Sequence, residues 1–393
     1  MRPFEGIDVL DLTQSIAGPL ATQFLGTLGA NVVKVEPPGG DAFRGLLDGA
    51  MFASVNLGGK RSVCLDLTTD EGRAAAHELA ATADVVVQSF RPGTVEKFGL
   101  DYDSVTESNP EVVYCSLTGF GEDGPCREWP AYDPVVQAMS GLMSTIGYPD
   151  RPPVRIGASV IDYGTGTTAA MLVAAALHER ERTGRGEFID VNLFEVAVSW
   201  MGYWIAHYTG TGEVPQPSGQ GFAGLAPNEV FDAARGEPFY LSVVNNRLFG
   251  RLCTAIGRED LVTDERFVEN ADRWENREAL RDELRAEFET YDRDELTALL
   301  AEAGVPTGPL QTVDELVEDD EHVAARGMLT DTRNLRTDAP VKTANAPFKT
   351  ASGRPDLGDR PPRRGEHTRE VLAELGYSAE QIDRMLEAGG AAA

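Results

Sequence analysis

Residues 7–36 read IDVLDLTQSIAGPLATQFLGTLGANVVKVE. The runs at either end, IDVLDL (7–12) and NVVKVE (31–36), are short, apolar and strand-like, while AGPLATQFLGTLG between them reads as helix. A helical crossover of that length joins parallel strands, which a tight hairpin cannot. The pattern then repeats. SVCLDL (62–67) leads through helical DEGRAAAHELAA to DVVVQSF (84–90), and two short helices lead on to EVVYCSL (111–117). An α/β fold follows, with a mostly parallel sheet covered on both faces.

Downstream, a Gly/Pro-rich stretch (119–134) precedes a predicted helix from Pro134 to Ile146. A second helix is expected to start near Asp162 and to stop at Thr183, where Gly184 supplies a C-terminal cap. Past residue 210 the texture changes to a loop, TGTGEVPQPSGQGFAGLAP, followed by charged amphipathic helices such as REALRDELRAEFETY. The expected organisation is a large domain over 1–210, a smaller α+β domain over 225–325, and a C-terminal segment, 326–393, that returns to the large domain.

Composition narrows the function. The 393 residues carry 63 acidic against 35 basic side chains, a net charge of −28. Such a field repels nucleic acid and anionic membranes, having no basic surface to displace counterions from phosphates. The acids are scattered, as in DERFVEN and DELVEDDEH, which is the pattern of a surface adapted to high salt. Cys64, Cys115, Cys126 and Cys253 form no CxxC pair and are read as reduced core residues of a cytoplasmic protein. The N-terminus carries Glu5, Asp8 and Asp11, unlike a signal peptide. The longest uninterrupted apolar stretch, Ala169 to Leu177, is half of what a membrane span needs.

Few residue types are left to carry chemistry. The five histidines lie in helical patterns or polar surface segments, and no cluster has metal-ligand spacing, so no metal is expected. Two stretches match a dinucleotide fingerprint. Gly119–Gly124 runs into prolines rather than a helix, and in Gly164–Ala169 an aspartate, Asp162, stands where a phosphate would sit. An aspartate at a helix N-terminus is expected to be held as the anion by the macrodipole and free N–H groups. Around it Gly157, Ala158, Ser159, Gly164 and Gly166 are small enough to leave room for a ligand, and a glycine-rich loop, Ser218 to Gly224, could offer amides to an oxyanion. A plain helix cap and an ordinary flexible linker fit these features equally well.

The chain resembles the family III CoA-transferases, the group that includes formyl-CoA transferase, carnitine CoA-transferase and the 2-methylacyl-CoA racemases. The carriers are GIDVLDLTQSIAGPLATQFLGTLGANVVKVEPPGGD, NLGGKRSVCLDLTTDEG, DVVVQSFRPGTVEKFGLDY, GFGEDGP, AYDPVVQAMSGLMSTIG and the VIDYGTG…ALHERERTGRGEFIDVNLFE stretch. The resemblance implies a Rossmann-like large domain built from both ends of the chain, a small domain, and an interlocked homodimer. It implies transfer of CoA from an acyl-CoA thioester to a free carboxylic acid, with no permanently bound cofactor.

By the same resemblance Asp162 is the catalytic nucleophile. CoA contacts fall on Ser15, Ile16, Leu65, Asp66, Ser89, Phe90, Arg91, Lys97 and Tyr132, and the substrate loop on Gly219, Gly221 and Gly224. Two basic positions of the family are missing, replaced here by Pro37 and Pro130, and Arg44, Lys60 and Arg61 are expected to hold the phosphates instead. The racemase branch carries histidine where this chain has Tyr132, which favours the transferase. Dicarboxylates such as succinate and mesaconate are the expected acids. Because a charge of −28 repels itself when unscreened, the melting temperature should climb between about 0.1 and about 3 M KCl. Melts independent of salt would leave the acidic composition without this explanation.

Overall fold

The alternation of strand and helix closes into a seven-stranded sheet. The computed structural model describes all 393 residues and places β1 (Asp8–Leu12), β2 (Asn31–Glu36), β3 (Arg61–Leu65), β4 (Val85–Gln88), β5 (Val113–Thr118) and β6 (Glu187–Asn192) side by side. The order is β3-β2-β1-β4-β5-β6, all parallel, and the short strand Ala391–Ala392 closes the β3 edge in antiparallel sense. Strand β6 lies in GEFIDVN, a segment not expected to be extended.

Period-two alternation sends successive residues to opposite faces. Val9, Val32, Val85, Val87 and Val113 enter one core with the helices Ala17–Thr27 and Val160–Thr183. Leu10, Val33, Val35, Val63, Val86 and Tyr114 enter the other, against the helices Asp70–Thr82, Thr368–Glu374 and Ala379–Glu387. The chain thus forms one unit from Met1–Leu142, Ile156–Gly210 and Glu321–Ala393, and a second from Met143–Arg155 and Thr211–Asp320. The second unit has its own core, built on a three-stranded antiparallel sheet (Asn228–Asp232, Pro238–Ser242, Thr307–Pro309) and helices that include Arg277–Phe288. The four cysteines are free, and Cys126 is only half-buried rather than part of the core.

Two local expectations change. The helix expected to run to Ile146 stops at Met139, ahead of Gly141, whose φ of 85° is left-handed. The Val160–Thr183 helix is long and apolar enough to cross a membrane by length and composition. Here it is a core helix, burying Ile161, Ala169, Val173 and Leu177 and ending at Gly184 with φ of 67°.

Its glycines also serve a different end from the expected one. A Cβ at Gly166 would overlap the Ala17 carbonyl oxygen, and one at Gly164 would overlap the Trp200 ring. These positions are filled by neighbouring helices and leave no room for a ligand. In an open helix Gly→Ala stabilises by about 1 kcal/mol. Gly166→Ala should instead destabilise, by about 1–3 kcal/mol, seen as a lower urea midpoint. An unchanged or raised midpoint would mean that the two helices part freely.

Candidate active site

Strand order reverses at β1, whose neighbours are β2 on one side and β4 on the other. At such a switch point the loops leaving the two strands diverge, and a crevice opens at the carboxyl ends. A cleft of about 420 Å³ lies there. Gln14, Ser15 and Ala17 line it after β1, Ser89, Phe90 and Arg91 after β4, and Thr118 and Gly119 at the end of β5. The loop residues Arg127, Trp129 and Tyr132 and the first turn of the 160–183 helix, through Asp162, complete it.

The turn after β1 is pinned from below. The buried Asp11 carboxylate accepts from Thr13 N (2.9 Å), Thr13 Oγ1 (2.5 Å) and Thr22 Oγ1 (2.6 Å), and pairs with Lys60 Nζ at 3.1 Å. Burial raises its pKa, but the Lys34 and Lys60 ammoniums outweigh that and hold it well below the carboxylate range. Lys34 Nζ donates to Thr13 O at 2.6 Å. So restrained, Ser15 takes a φ of 70°, a conformation costing a non-glycine residue on the order of 1–3 kcal/mol. Gln14 N donates to Ser89 Oγ at 3.0 Å, joining the two lips of the cleft.

Asp162 stands on the third residue of its helix. Among the described residues no group donates to its carboxylate. The expected interaction with free helix amides is absent because those amides are occupied. Oδ2 of the buried Asp133 accepts from Ile161 N (2.7 Å) and Asp162 N (3.2 Å). Burial first, and the Asp133 charge second, push the Asp162 carboxyl up to about 7, opposite in direction to a dipole-stabilised anion.

Ser15, Ser89, Phe90, Arg91, Tyr132 and Asp162 therefore meet at one cleft. Ile16 packs beneath it with Leu20 and Val55, and Leu65 is core. The Asp66 carboxylate is bound to Thr68 N and Oγ1, which hold its pKa low. Lys97 is exposed on the turn Val95–Phe98, outside the cleft lining. Gly219, Gly221 and Gly224 belong to the second unit, where Gly219 N donates to Gly147 O and a Cβ on Gly221 would press on the Asn228 carbonyl.

The three cations expected to take phosphates do not line the cleft. Lys60 is buried, its ammonium shared among Asp11, Pro19 O, Thr22 Oγ1, Val55 O and Asn56 Oδ1. Burial lowers its pKa to about 8. Arg44 is bidentate to Glu36 and lies over the Phe52 ring. Arg61 pairs with Glu370 and Glu374 at the opposite, amino end of β3. The cations that do line the cleft are Arg91 and Arg127. Arg127, Trp129, Gln14 and the capping of the 160–183 helix by Asp133 were not among the expectations. For the first two a signal existed, an arginine and a tryptophan in the proline-rich loop leading to Tyr132.

A switch-point cleft holding a carboxylate without a donor defines an enzyme site more than a binding surface, and sequence comparison gives its class. The chain belongs to CoA-transferase family III, whose family model matches residues 4–368. It is 39% identical to the acetyl-CoA:oxalate CoA-transferase of Acetobacter aceti, over 83% of this chain and 85% of that one. It is 38% identical to the succinyl-CoA:mesaconate CoA-transferase of Haloarcula hispanica, over 96% and 97%. The crystal structure of Rv3272 from Mycobacterium tuberculosis, orthorhombic form, superposes with a TM-score of 0.85 at 34% identity, over 95% of this chain and 99% of that one. The protein is thus a family III CoA-transferase, an enzyme acting on CoA thioesters.

A carboxyl whose folded pKa lies near 7, against about 4 when unfolded, binds its proton more tightly in the folded state. Its contribution to stability is fully present below pH 4 and lost as pH rises through 7. Asp162→Asn should therefore melt higher than the parent at pH 8, with the gap closing toward pH 4. Carboxyl NMR should show one aspartate titrating near 7 that vanishes in the variant. Equal melts at pH 8 and no such resonance would show an ordinary solvated carboxylate.

Proposed function

We propose that the enzyme transfers CoA between carboxylic acids through covalent intermediates on Asp162. The observation supporting this most directly is the half-buried Asp162 carboxylate, free of protein donors, in a cleft at the carboxyl ends of β1, β4 and β5. A carboxylate is a weak nucleophile, but holding it against a bound thioester contributes an effective molarity equivalent to about 7–11 kcal/mol. Its raised pKa increases basicity at the attacking oxygen.

An Asp162 oxygen attacks the acyl carbonyl carbon, the C–S bond breaks, and the CoA thiolate leaves with the electron pair, giving a mixed anhydride. The thiolate, still held, attacks the Asp162 carbonyl carbon and expels the donor acid as carboxylate, giving an aspartyl-CoA thioester. The acceptor carboxylate then runs both steps in reverse order and frees Asp162. One thioester replaces another, so the exchange is nearly isoenergetic and needs no net proton.

Arg91 and Arg127 are the groups we assign to anions in the cleft: the phosphates of CoA, or the far carboxylate of a dicarboxylic acid. The succinyl-CoA:mesaconate relative from Haloarcula hispanica, together with the charge of −28, supports dicarboxylate substrates and a salt-adapted enzyme. A second copy is proposed to cover the helix Gly202–Thr211, none of whose residues is buried and whose Tyr203 and Tyr208 are 60% and 50% exposed. The racemase alternative is not favoured, since no histidine lines the cleft.

Incubating the enzyme with succinyl-CoA and no acceptor, under conditions that remove released succinate, should trap CoA on the peptide carrying ASVIDYGTG. Mass spectrometry of quenched digests reads the adduct, and hydroxylamine should cleave it with loss of activity. Asp162→Ala should fold and lose transfer by at least about a thousandfold. Normal transfer with no adduct at Asp162 would establish a direct route and sink this mechanism.

A further inference from the structure

An aspartate on the first turn of a helix does not ordinarily stay reactive. The ordinary fate of such a residue is to accept from the helix's own unpaired amides and become a well-satisfied anion. In this chain another carboxylate has taken that place. Asp133, 1% exposed, directs Oδ2 at the amides of Ile161 and Asp162. Its Oδ1 accepts from Gln137 Nε2 at 2.5 Å. Gln137, fully buried, in turn accepts from Ile156 N at 3.0 Å. The start of the 160–183 helix is therefore clamped by the preceding helix, Asp133–Met139, and not by its own side chains.

We propose that Asp133 is a positioning residue for CoA transfer: it occupies the helix amides that would otherwise stabilise Asp162, so that the Asp162 carboxylate is left free of donors and open to the cleft. This rests on Asp162 being the nucleophile. The proximity of two carboxylates acts in the same direction, since the Asp133 charge adds to burial in raising the affinity of Asp162 for a proton. The other charged or titratable groups around the cleft are Arg91 from the loop after β4, and Arg127 and Tyr132 from the loop before Asp133. The helices Ala17–Thr27 and Leu193–Trp200 present only the uncharged Ala17, Gly18 and Leu193. Asp133 is thus the one anion set against Asp162.

The test is the pH dependence of adduct formation from succinyl-CoA in a single turnover, at constant high salt. In the parent enzyme the rate should rise with pH through a midpoint near 7, where Asp162 ionises. Asp133→Asn keeps the shape and one acceptor oxygen but removes the charge. The acid limb should move to lower pH by about one unit, because the opposing charge is gone while the amides stay capped. Asp133→Ala, which frees the amides for Asp162, should in addition lower the plateau rate by about tenfold or more. Asp133→Glu, which restores the charge, should return the midpoint toward the parent value. Where Asp133→Asn fails to fold, Asp133→Ser, a neutral helix cap, is read in the same way.

A purely structural role would lower the amount of folded enzyme and leave the midpoint of the folded fraction in place. Folded variants with the parent midpoint and plateau would overturn the inference, as would a midpoint moving to higher pH. The two readings fail separately. Absence of adduct in the parent enzyme removes the nucleophile, whereas adduct on Asp162 with an unmoved limb in Asp133→Asn removes only the role of Asp133.

Discussion

The Asp11 carboxylate is wholly buried under the end of β1, and the Lys60 ammonium that meets it is equally buried. Neither charge can exist there alone. Removing one partner of such a pair leaves a stranded ion at a cost of about 3–5 kcal/mol, so each fixes the position of the other. Lys60 brings in the turn ahead of β3, Lys34 brings in β2, and Thr22 brings in the helix Ala17–Thr27. Three strands and a helix are thereby brought into register at one point. The turn carrying Ser15 lies directly above that point, and its left-handed backbone persists because what surrounds it cannot give way. The shape of the cleft is set one layer below the cleft.

Much of the fold was legible because its signals are local. A run such as DVVVQSF states its structure within seven residues, and five of the six parallel strands follow from such runs, with the helices between them except Ala50–Val55. Strand β6 escaped because GEFIDVN carries charges and flanks a long helix whose stronger pattern dominates its neighbourhood. The joining of Met143–Arg155 to the second unit had no local signal, since it depends on contacts made more than sixty residues away.

The candidate site was legible in position but not in environment. Asp162 stood out as an acid at a helix start among small residues, and it does line the cleft. Its expected state was reversed because the capping group comes from 29 residues upstream, a distance over which helix signals say nothing. The same applies to the cations. Lys60 and Arg61 beside a glycine pair resemble phosphate ligands until Asp11, 49 positions away, and Glu370, 309 away, are brought against them. In an acidic chain a basic residue is more often spoken for by an internal carboxylate than the sequence discloses. Gly164 and Gly166 were misjudged for a related reason: a missing side chain signals close approach without saying of what.

The contact between Gly166 and the Ala17 carbonyl bears on timing. With no side chain between them, the two backbones meet directly, and the helix that presents Asp162 and the helix that begins at the Ser15 turn are packed as one block. Sliding or hinging of packed helices takes microseconds to milliseconds, whereas side-chain rotation takes picoseconds to nanoseconds. In the proposed mechanism the thiolate leaves the acyl carbon as an aspartyl oxygen arrives there, and then attacks the Asp162 carboxyl carbon without CoA leaving the cleft. A fixed block confines that exchange to the Asp162 side-chain torsions and to the bound thiolate.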